Sequence, residues 1–320
     1  MPLLSVQNLE VVFPLPGGTV RALRNVSFDL DRGERIGIVG ESGAGKSAAA
    51  FAILNLLGKP GKIQSGRILF DGHDLAALDY EAMRQIRGNR ISMIFQDPMV
   101  TLNPVLTIGA QMTETLRAHR RMTRARARDI ALEKLRAVQI PSAEKRLAQY
   151  PHELSGGMRQ RVVIATALLS DPQIIIADEP TTALDVTIQA EILELLLRLC
   201  EDFAVGLILI THDLGVVFGV TQRILVMYAG RIIERGPTAE VIGAPRHPYT
   251  RGLIDALPSA ARPGTPLKQI PGVMPSLHEI PSGCAFHDRC EFAQARCTAE
   301  TPRLEEQGAR AAACHFPLNT

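Results

Sequence analysis

Residues 40 to 47 read Gly-Glu-Ser-Gly-Ala-Gly-Lys-Ser. Three glycines, a lysine and a serine crowded into eight positions suit neither a helix nor a strand. They suit a turn that wraps an anion. The G-x-x-x-x-G-K-S spacing, between a strand and a helix, is that of a triphosphate cradle. Gly40, Gly43 and Gly45 let the backbone curl, so that N–H groups of the turn, with Glu41, Ser42 and Ala44 between the glycines, point inward. The following helix, opening at Lys46, Ser47 and Ala48, adds partial positive charge. Lys46 would reach the β- and γ-phosphates, and the Ser47 hydroxyl would ligate Mg2+.

A second set lies at residues 174 to 179, Ile-Ile-Ile-Ala-Asp-Glu. A buried strand would deliver Asp178 to the Mg2+. Glu179 would emerge near the γ-phosphate and could polarise a water for in-line attack. The rival reading, a glutamate that merely ends a strand and caps a turn, ignores its position beside Asp178 on a chain with a phosphate loop. A third stretch, Leu-Ser-Gly-Gly-Met-Arg-Gln at 154 to 160, places Ser155, Gly156 and Gly157 before a helix, "MRQRVVIATALL". Their N–H groups and that helix terminus make another anion site.

These residues need strands and helices to hold them. "RIGIVG" reads as a buried strand ending in glycine, and "AAAFAILNLL" as the helix that follows the phosphate turn. The first quarter alternates strand-like runs with turns: "LLSVQNLEVVF", "VRALRNVSFDL", "GRILFDGHDL", "RISMIFQD". From about Asn103 to Leu169 helix formers take over. The chain then returns to α/β with "PQIIIADEP", "TIQAEILELLLRLCEDF", "GLILITHD" and "RILVMYAGRIIERG". The expected fold class is α/β: a parallel-sheet core with an N-terminal antiparallel β portion and a helical insertion at about 103–169. Six prolines between Pro258 and Pro281 mark a strap without regular structure. The expected domains are 1–257 and a small Cys-rich tail at 258–320.

Bulk composition narrows the classes. Hydrophobic residues are 46% and charged residues 21%, as in ordinary globular chains. A net charge of +2 implies no general affinity for nucleic acid or anionic membrane. No apolar run reaches the roughly 18 residues of a membrane span. The N-terminus lacks the basic region of a signal peptide. A cytosolic location is expected; if the protein serves a membrane, another chain must cross it.

The stretch at 154–160 closely resembles LSGGQ, the signature of the ATP-binding cassette (ABC) family. That family's motif order is P-loop, Q-loop, signature, Walker B, D-loop and switch histidine. The same order here gives Gly40–Ser47, Gln96, Leu154–Gln160, Asp178–Glu179, Ala183-Leu184-Asp185 and His212. Met158 replaces the final glutamine of the signature, and Gln160 follows two residues later. The resemblance implies a P-loop ATPase that uses ATP and Mg2+. It implies that Gln96 senses the γ-phosphate at the Mg2+ and links it to the helical insertion, and that His212 holds the attacking water and Glu179 in place. It also implies that Ser155, Gly156, Gly157 and Asp185 serve the ATP on a second subunit. Phe13 would stack on adenine, or be a core aromatic.

Outside the cassette, "YPHELSGGMRQRVVIA", "RHPYTRGLIDALP" and "GCAFHDRCEFAQARC" look like the ATPases of dipeptide and oligopeptide importers. The resemblance covers essentially the whole chain. It implies a second ATPase subunit, often non-identical, two transmembrane permeases and an extracytoplasmic substrate-binding protein, with this chain at the cytoplasmic face of the inner membrane. The stretch "QDPMVTLNPVLTIG" would face a permease. Importers of nickel, glutathione or sugars share these features. The six arginines between Arg117 and Arg128 read as a solvated helix face, with headgroup or permease contact as the rival. A soluble ABC protein of translation or DNA repair is a different class. The first carries two cassettes per chain, the second long coiled coils, and neither is present.

Cys284, Cys290, Cys297 and Cys314 are spaced C-x5-C-x6-C-x16-C. In a cytosolic chain such clustering favours metal over disulfides. Four thiolates suit an iron–sulfur cluster or zinc, with unligated thiols as the third reading; the tight knuckle usual for zinc is missing. The resemblance implies a 4Fe-4S cluster. Cys200, on an apolar helix, reads as core.

Overall fold

The computed structural model describes residues 1–182, 184–257 and 268–319. The chain forms two compact units: Met1–Asp31, Arg35–Ala77 and Leu209–Thr320 in one, Arg32–Glu34 and Leu78–Ile208 in the other.

The first unit opens with β1 (Leu4–Leu15) and β2 (Gly18–Leu30), an antiparallel hairpin. β3 (Arg35–Val39) and α1 (Lys46–Ile53) bracket the glycine-rich turn. β4 (Lys62–Phe70) and β5 (His73–Asp74) complete an antiparallel sheet in the order β2-β1-β4-β5. The N-terminal antiparallel portion read from the sequence is this sheet.

The second unit carries α2 (Tyr80–Ile86), β6 (Ile91–Ile94) and α3 (Pro98–Thr101), then α4 (Ile108–His119), α5 (Arg124–Ala137) and α6 (Ala143–Arg146). α7 (Gly156–Ala167), β7 (Ile174–Asp178) and α8 (Val186–Asp202) follow. β6 and β7 pair in parallel. Every residue of β7 is buried, which is why it reads as an unbroken apolar run ending in Asp178 rather than as an alternation. α8 buries Ile192, Leu195, Leu196 and Leu199, one stripe at helical spacing. Cys200 on the same helix is buried, as a core residue should be. α7 is the hub: it touches α3, α4, α5, α8 and β6.

β8 (Gly206–Thr211) begins in the second unit and ends in the first. The first unit resumes with α9 (Leu214–Val220), the hairpin β9 (Arg223–Tyr228) and β10 (Arg231–Pro237), α10 (Thr238–Gly243) and α11 (Pro248–Asp255). β9 runs parallel to β3. Within the proline-rich strap, 258–267 lie outside the described residues, and 268–281 contain no helix or strand. The tail then forms α12 (Ala295–Ala299), β11 (Glu305–Gln307) and β12 (Arg310–Ala312).

The tail does not stand apart from the core of its unit. β12 pairs with β10, extending the sheet. Phe286 packs edge-on against Tyr228 and Tyr249, with ring centroids 5.3 and 5.4 Å away. These three aromatics share one apolar cluster with Val39, Ile224 and Val226. Glu234, fully buried on β10, accepts hydrogen bonds from the Arg246 and His247 N–H groups at 2.8 Å each and from the Arg310 guanidinium. A buried carboxylate is tolerated because it is paired and hydrogen-bonded on several sides.

Candidate nucleotide site

The turn between β3 and α1 has the curl that the glycines predict. Gly40, Gly43 and Gly45 take φ of 154°, 83° and 100°. A Cβ on Gly40 would lie 2.3 Å from the Met227 carbonyl oxygen, and one on Gly45 2.7 Å from that of Ala22. Backbone stands in the way at both positions, so only glycine fits. Lys46 is buried, and its ammonium is held by the carbonyls of Gly40 and Glu41 at 2.8 and 3.0 Å. The Ala44 N–H closes the turn on the Glu41 carbonyl at 3.2 Å. Ser47 and Ala48 lie in the first turn of α1, where orphan N–H groups and the helix dipole favour an anion.

Two contacts from distant sequence grip this turn. The Glu41 N–H donates to the Tyr249 hydroxyl at 2.8 Å. The Glu41 carboxylate takes two hydrogen bonds from Arg289, at 2.9 and 3.1 Å. Burial raises the Tyr249 hydroxyl's pKa and keeps it neutral. His247 caps α11 by accepting from the Tyr249 N–H at 3.0 Å. Burial pushes the His247 imidazole down to about 3, so it stays neutral as a capping acceptor must.

Also in this unit, His212 is exposed directly after β8. Phe13 lies on β1, and its ring closes on Gly61: a Cβ there would meet the ring at 2.5 Å. Phe13 is half-buried, so part of it stays open to solvent.

In the second unit, Asp178 is buried at the end of β7. Glu179 follows with φ of 47°, in the left-handed region that a glutamate enters only when its surroundings hold it there. Its carboxylate oxygen Oε2 accepts from Gln96 Nε2 and from Thr182 Oγ1, each at 3.0 Å. Two motif residues 83 positions apart in the chain are thus brought together, a contact that the motif order did not foretell. Gln160 braces the same turn, since its buried amide donates to the Pro180 carbonyl at 2.6 Å. Gln160 is therefore an internal strut and does not stand in for the glutamine that Met158 displaces.

The signature helix starts two residues earlier than its sequence suggests. Ser155 is the N-cap of α7, accepting from the Met158 N–H at 3.4 Å, and Gly156 and Gly157 form the first turn. Their N–H groups are orphan donors at a helix N-terminus. Asp185 precedes α8 at its N-cap, and Ala183 lies outside the described residues.

Cys284, Cys290, Cys297 and Cys314 line one small cavity walled by Phe286 and Phe292. None of the four forms a disulfide. Burial, then the other three thiols, push Cys314 up to about 11. Among the described residues no three His, Cys, Asp or Glu side chains converge where a single metal ion would sit.

Tyr249, Arg289, Thr182 and Gln160 escape a reading by motif. Tyr249 and Arg289 lie 208 and 248 residues from Glu41 in the chain, a distance no spacing rule spans. Thr182 carried a signal, a hydroxyl one helical turn after Glu179.

Comparison with known proteins agrees with this geometry. Residues 23–182 match the family described as ABC transporter, and residues 233–297 the one described as oligopeptide/dipeptide transporter, C-terminal region. The dipeptide transport ATP-binding protein DppD of Haemophilus influenzae is 45% identical over 319 residues, covering 100% of this chain and 97% of that protein. A Brucella abortus (strain 2308) protein named for peptide import and ATP binding is 49% identical over 325 residues, covering 97% and 96%. Among solved structures, the dimeric ATP-binding cassette MJ0796 bound to ADP and Pi is similar with a TM-score of 0.66 and 30% identity, over 73% of this chain and 98% of that one. The structure of cbiO1 from Clostridium perfringens, part of the ABC transporter complex cbiONQ, gives 0.64 and 29%, over 76% and 91%. The phosphate turn, the held Glu179 and the capped signature helix are those of an ATPase cassette, and the chain belongs to the ABC transporter family, in the branch of dipeptide and oligopeptide importer ATP-binding subunits.

Proposed function

We propose that this chain hydrolyses ATP to drive uptake of di- or oligopeptides through a membrane importer. The observation that carries this reading is end-to-end likeness, C-terminal region included, to proteins named for dipeptide and peptide transport. The cassette is assigned to 1–257 and the appendage to 258–320. Residues Gly40 to Ala48 bind the phosphates, and Ser47, Gln96 and Asp178 serve Mg2+. Glu179 is the general base, and His212 and Gln96 position the water. Phe13 stacks on adenine. Ser155, Gly156, Gly157 and Asp185 complete the ATP site of a second ATPase subunit.

No helix among the described residues is long and apolar enough to cross a membrane, so transport requires other chains. Two permeases are the proposed partners, with this chain peripheral at the cytoplasmic face. The stretch after Gln96 suits such docking, because Met99, Val100 and Val105 are 54%, 84% and 75% exposed. The complex purified from its native membrane is expected to contain two permeases and a second, non-identical ATPase. In proteoliposomes its ATPase should rise when a peptide-loaded binding protein is added. Stimulation only by nickel, glutathione or a sugar would reassign the cargo. Recovery of the chain without any membrane protein would end the transport reading.

The tail is proposed to hold a 4Fe-4S cluster on Cys284, Cys290, Cys297 and Cys314. Four thiols line one apolar-walled cavity, and four thiolates are the donor set of an iron–sulfur cluster as of a zinc site. When bound, the cluster would cross-link a small region that buries too little apolar surface to fold firmly alone. Anaerobically purified protein should be brown, absorb broadly near about 400 nm, and carry roughly four irons and four sulfides per chain. Cys290→Ser should bleach it. Colourless protein with one zinc would replace the cluster by a single ion. Colourless, metal-free protein from iron-replete, anaerobic expression would remove both.

A further inference from the structure

The second position of the phosphate turn carries a carboxylate. A negative charge there opposes a bound triphosphate unless it is neutralised, because like charges at close range repel strongly where water is partly excluded. Arg289 neutralises it. Its guanidinium bonds both Glu41 carboxylate oxygens, at 2.9 and 3.1 Å, in the forked geometry that only arginine offers. The arginine side chain is only 7% exposed and that of Glu41 28%. The fork is itself locked in place. Arg289 Nε donates to the Pro271 carbonyl at 2.8 Å and Nη1 to the Tyr228 hydroxyl at 3.3 Å, and the group stacks 5.8 Å from the Phe286 ring centre.

Two other side chains, Tyr249 of α11 and Met274 of the tail, act on the same turn. Tyr249 takes the Glu41 N–H, and Met274 Cε lies 3.0 Å from where a Gly43 Cβ would stand. A turn with three glycines is costly to order. Here two of its residues are pinned from outside by side chains that do not belong to the cassette motifs.

We propose that Arg289 of the C-terminal tail is a positioning residue for ATP: it neutralises and fixes Glu41, so the tail sets the affinity of the phosphate turn for nucleotide. The proposal rests on the reading of Gly40–Ser47 as the ATP phosphate site. Coupling of this kind is reciprocal, so nucleotide must in turn tighten the tail.

The test is MgATP binding to the full-length chain by calorimetry, with Lys46→Ala as the control for the underlying reading. Arg289→Ala should weaken binding by about tenfold, within the usual range of coupling between sites. Arg289→Lys, with charge but no fork, should fall between. In the assembled transporter the loss should appear in the KM for ATP, with kcat nearly kept. Arg289→Ala could act by loosening the tail alone, and the double variant separates the two. Glu41→Gln removes the charge that Arg289 answers, so Arg289→Ala with Glu41→Gln should recover most of the lost affinity. Hydrogen exchange across 284–297 should slow when MgADP binds the native chain. If Lys46→Ala abolishes binding and Arg289→Ala binds like the native chain, the proposal is overturned and the phosphate site stands. If Arg289→Ala is weak but Glu41→Gln does not rescue it, Arg289 is a brace for the tail and the proposal fails. If Lys46→Ala binds MgATP normally, the phosphate site itself is misplaced and the proposal falls with it.

Discussion

Replacing Glu179 by glutamine should leave ATP bound and almost unhydrolysed. The substitution preserves shape. Glu179 Oε2 already accepts from Gln96 and Thr182, and a glutamine carbonyl oxygen can accept both bonds. The left-handed backbone at φ 47° has the same steric demand for either residue. What changes is basicity: an amide cannot take a proton from the attacking water. Loss of a general base typically costs about 10²- to 10⁴-fold. Turnover of the assembled transporter should therefore fall at least about a hundredfold, while MgATP affinity is kept and the ATP-bound dimer accumulates on size-exclusion chromatography. Thr182→Val should give a milder defect, since the bond from Gln96 remains. Near-native ATPase in a transporter whose partner subunit is also inactivated would remove Glu179 from the chemistry.

An aspartate at Gly156 should abolish hydrolysis in the assembled complex without harming the isolated chain. The structure decides between the two signature glycines. A Cβ at Gly157 would stand 2.9 Å from Ile188 Cγ2, so any side chain there disturbs α8 as well as the site. At Gly156 the nearest atom is Leu184 Cδ2 at 3.5 Å, an ordinary contact. Aspartate in the first turn of α7 suits the helix dipole, so folding should be unharmed or slightly favoured. If the orphan N–H groups serve ATP on a second subunit, as proposed, the same carboxylate would face its phosphate. Repulsion and loss of the anion site together predict a fall of at least about a hundredfold, comparable to removing an oxyanion donor. Melting temperature and MgATP binding of the isolated chain should be unchanged. If isolated Gly156→Asp loses nucleotide binding in parallel, the signature acts within its own chain.

Much of this protein is written locally. The strand–turn–helix around Gly40–Ser47 follows from glycine spacing between an apolar run and helix formers, and the structure adds that carbonyls of Met227 and Ala22 enforce two of those glycines. β7 is legible because a strand buried on both faces must be apolar throughout until its chain emerges at Asp178 and Glu179. Helix periodicity locates α8, and the order of six short motifs identifies the machine. Two glycines look like loop, so the sequence predicts α7 from Met158, whereas the Ser155 cap makes Gly156 and Gly157 its first turn. Tertiary structure alone decided which residues hold the motifs in place. The sequence places Gln160 two residues past Met158 and gives it no role; burial turns it inward to Pro180. No motif singles out Arg289, between Cys284 and Cys290, yet the packing of Phe286 against Tyr228 and Tyr249 carries it to Glu41, 248 residues away. The physical reason is that turns, caps and periodic faces are dictated by neighbours in sequence. The partners of a buried charge depend on which distant segments share a core, and that is settled only when the whole chain has packed.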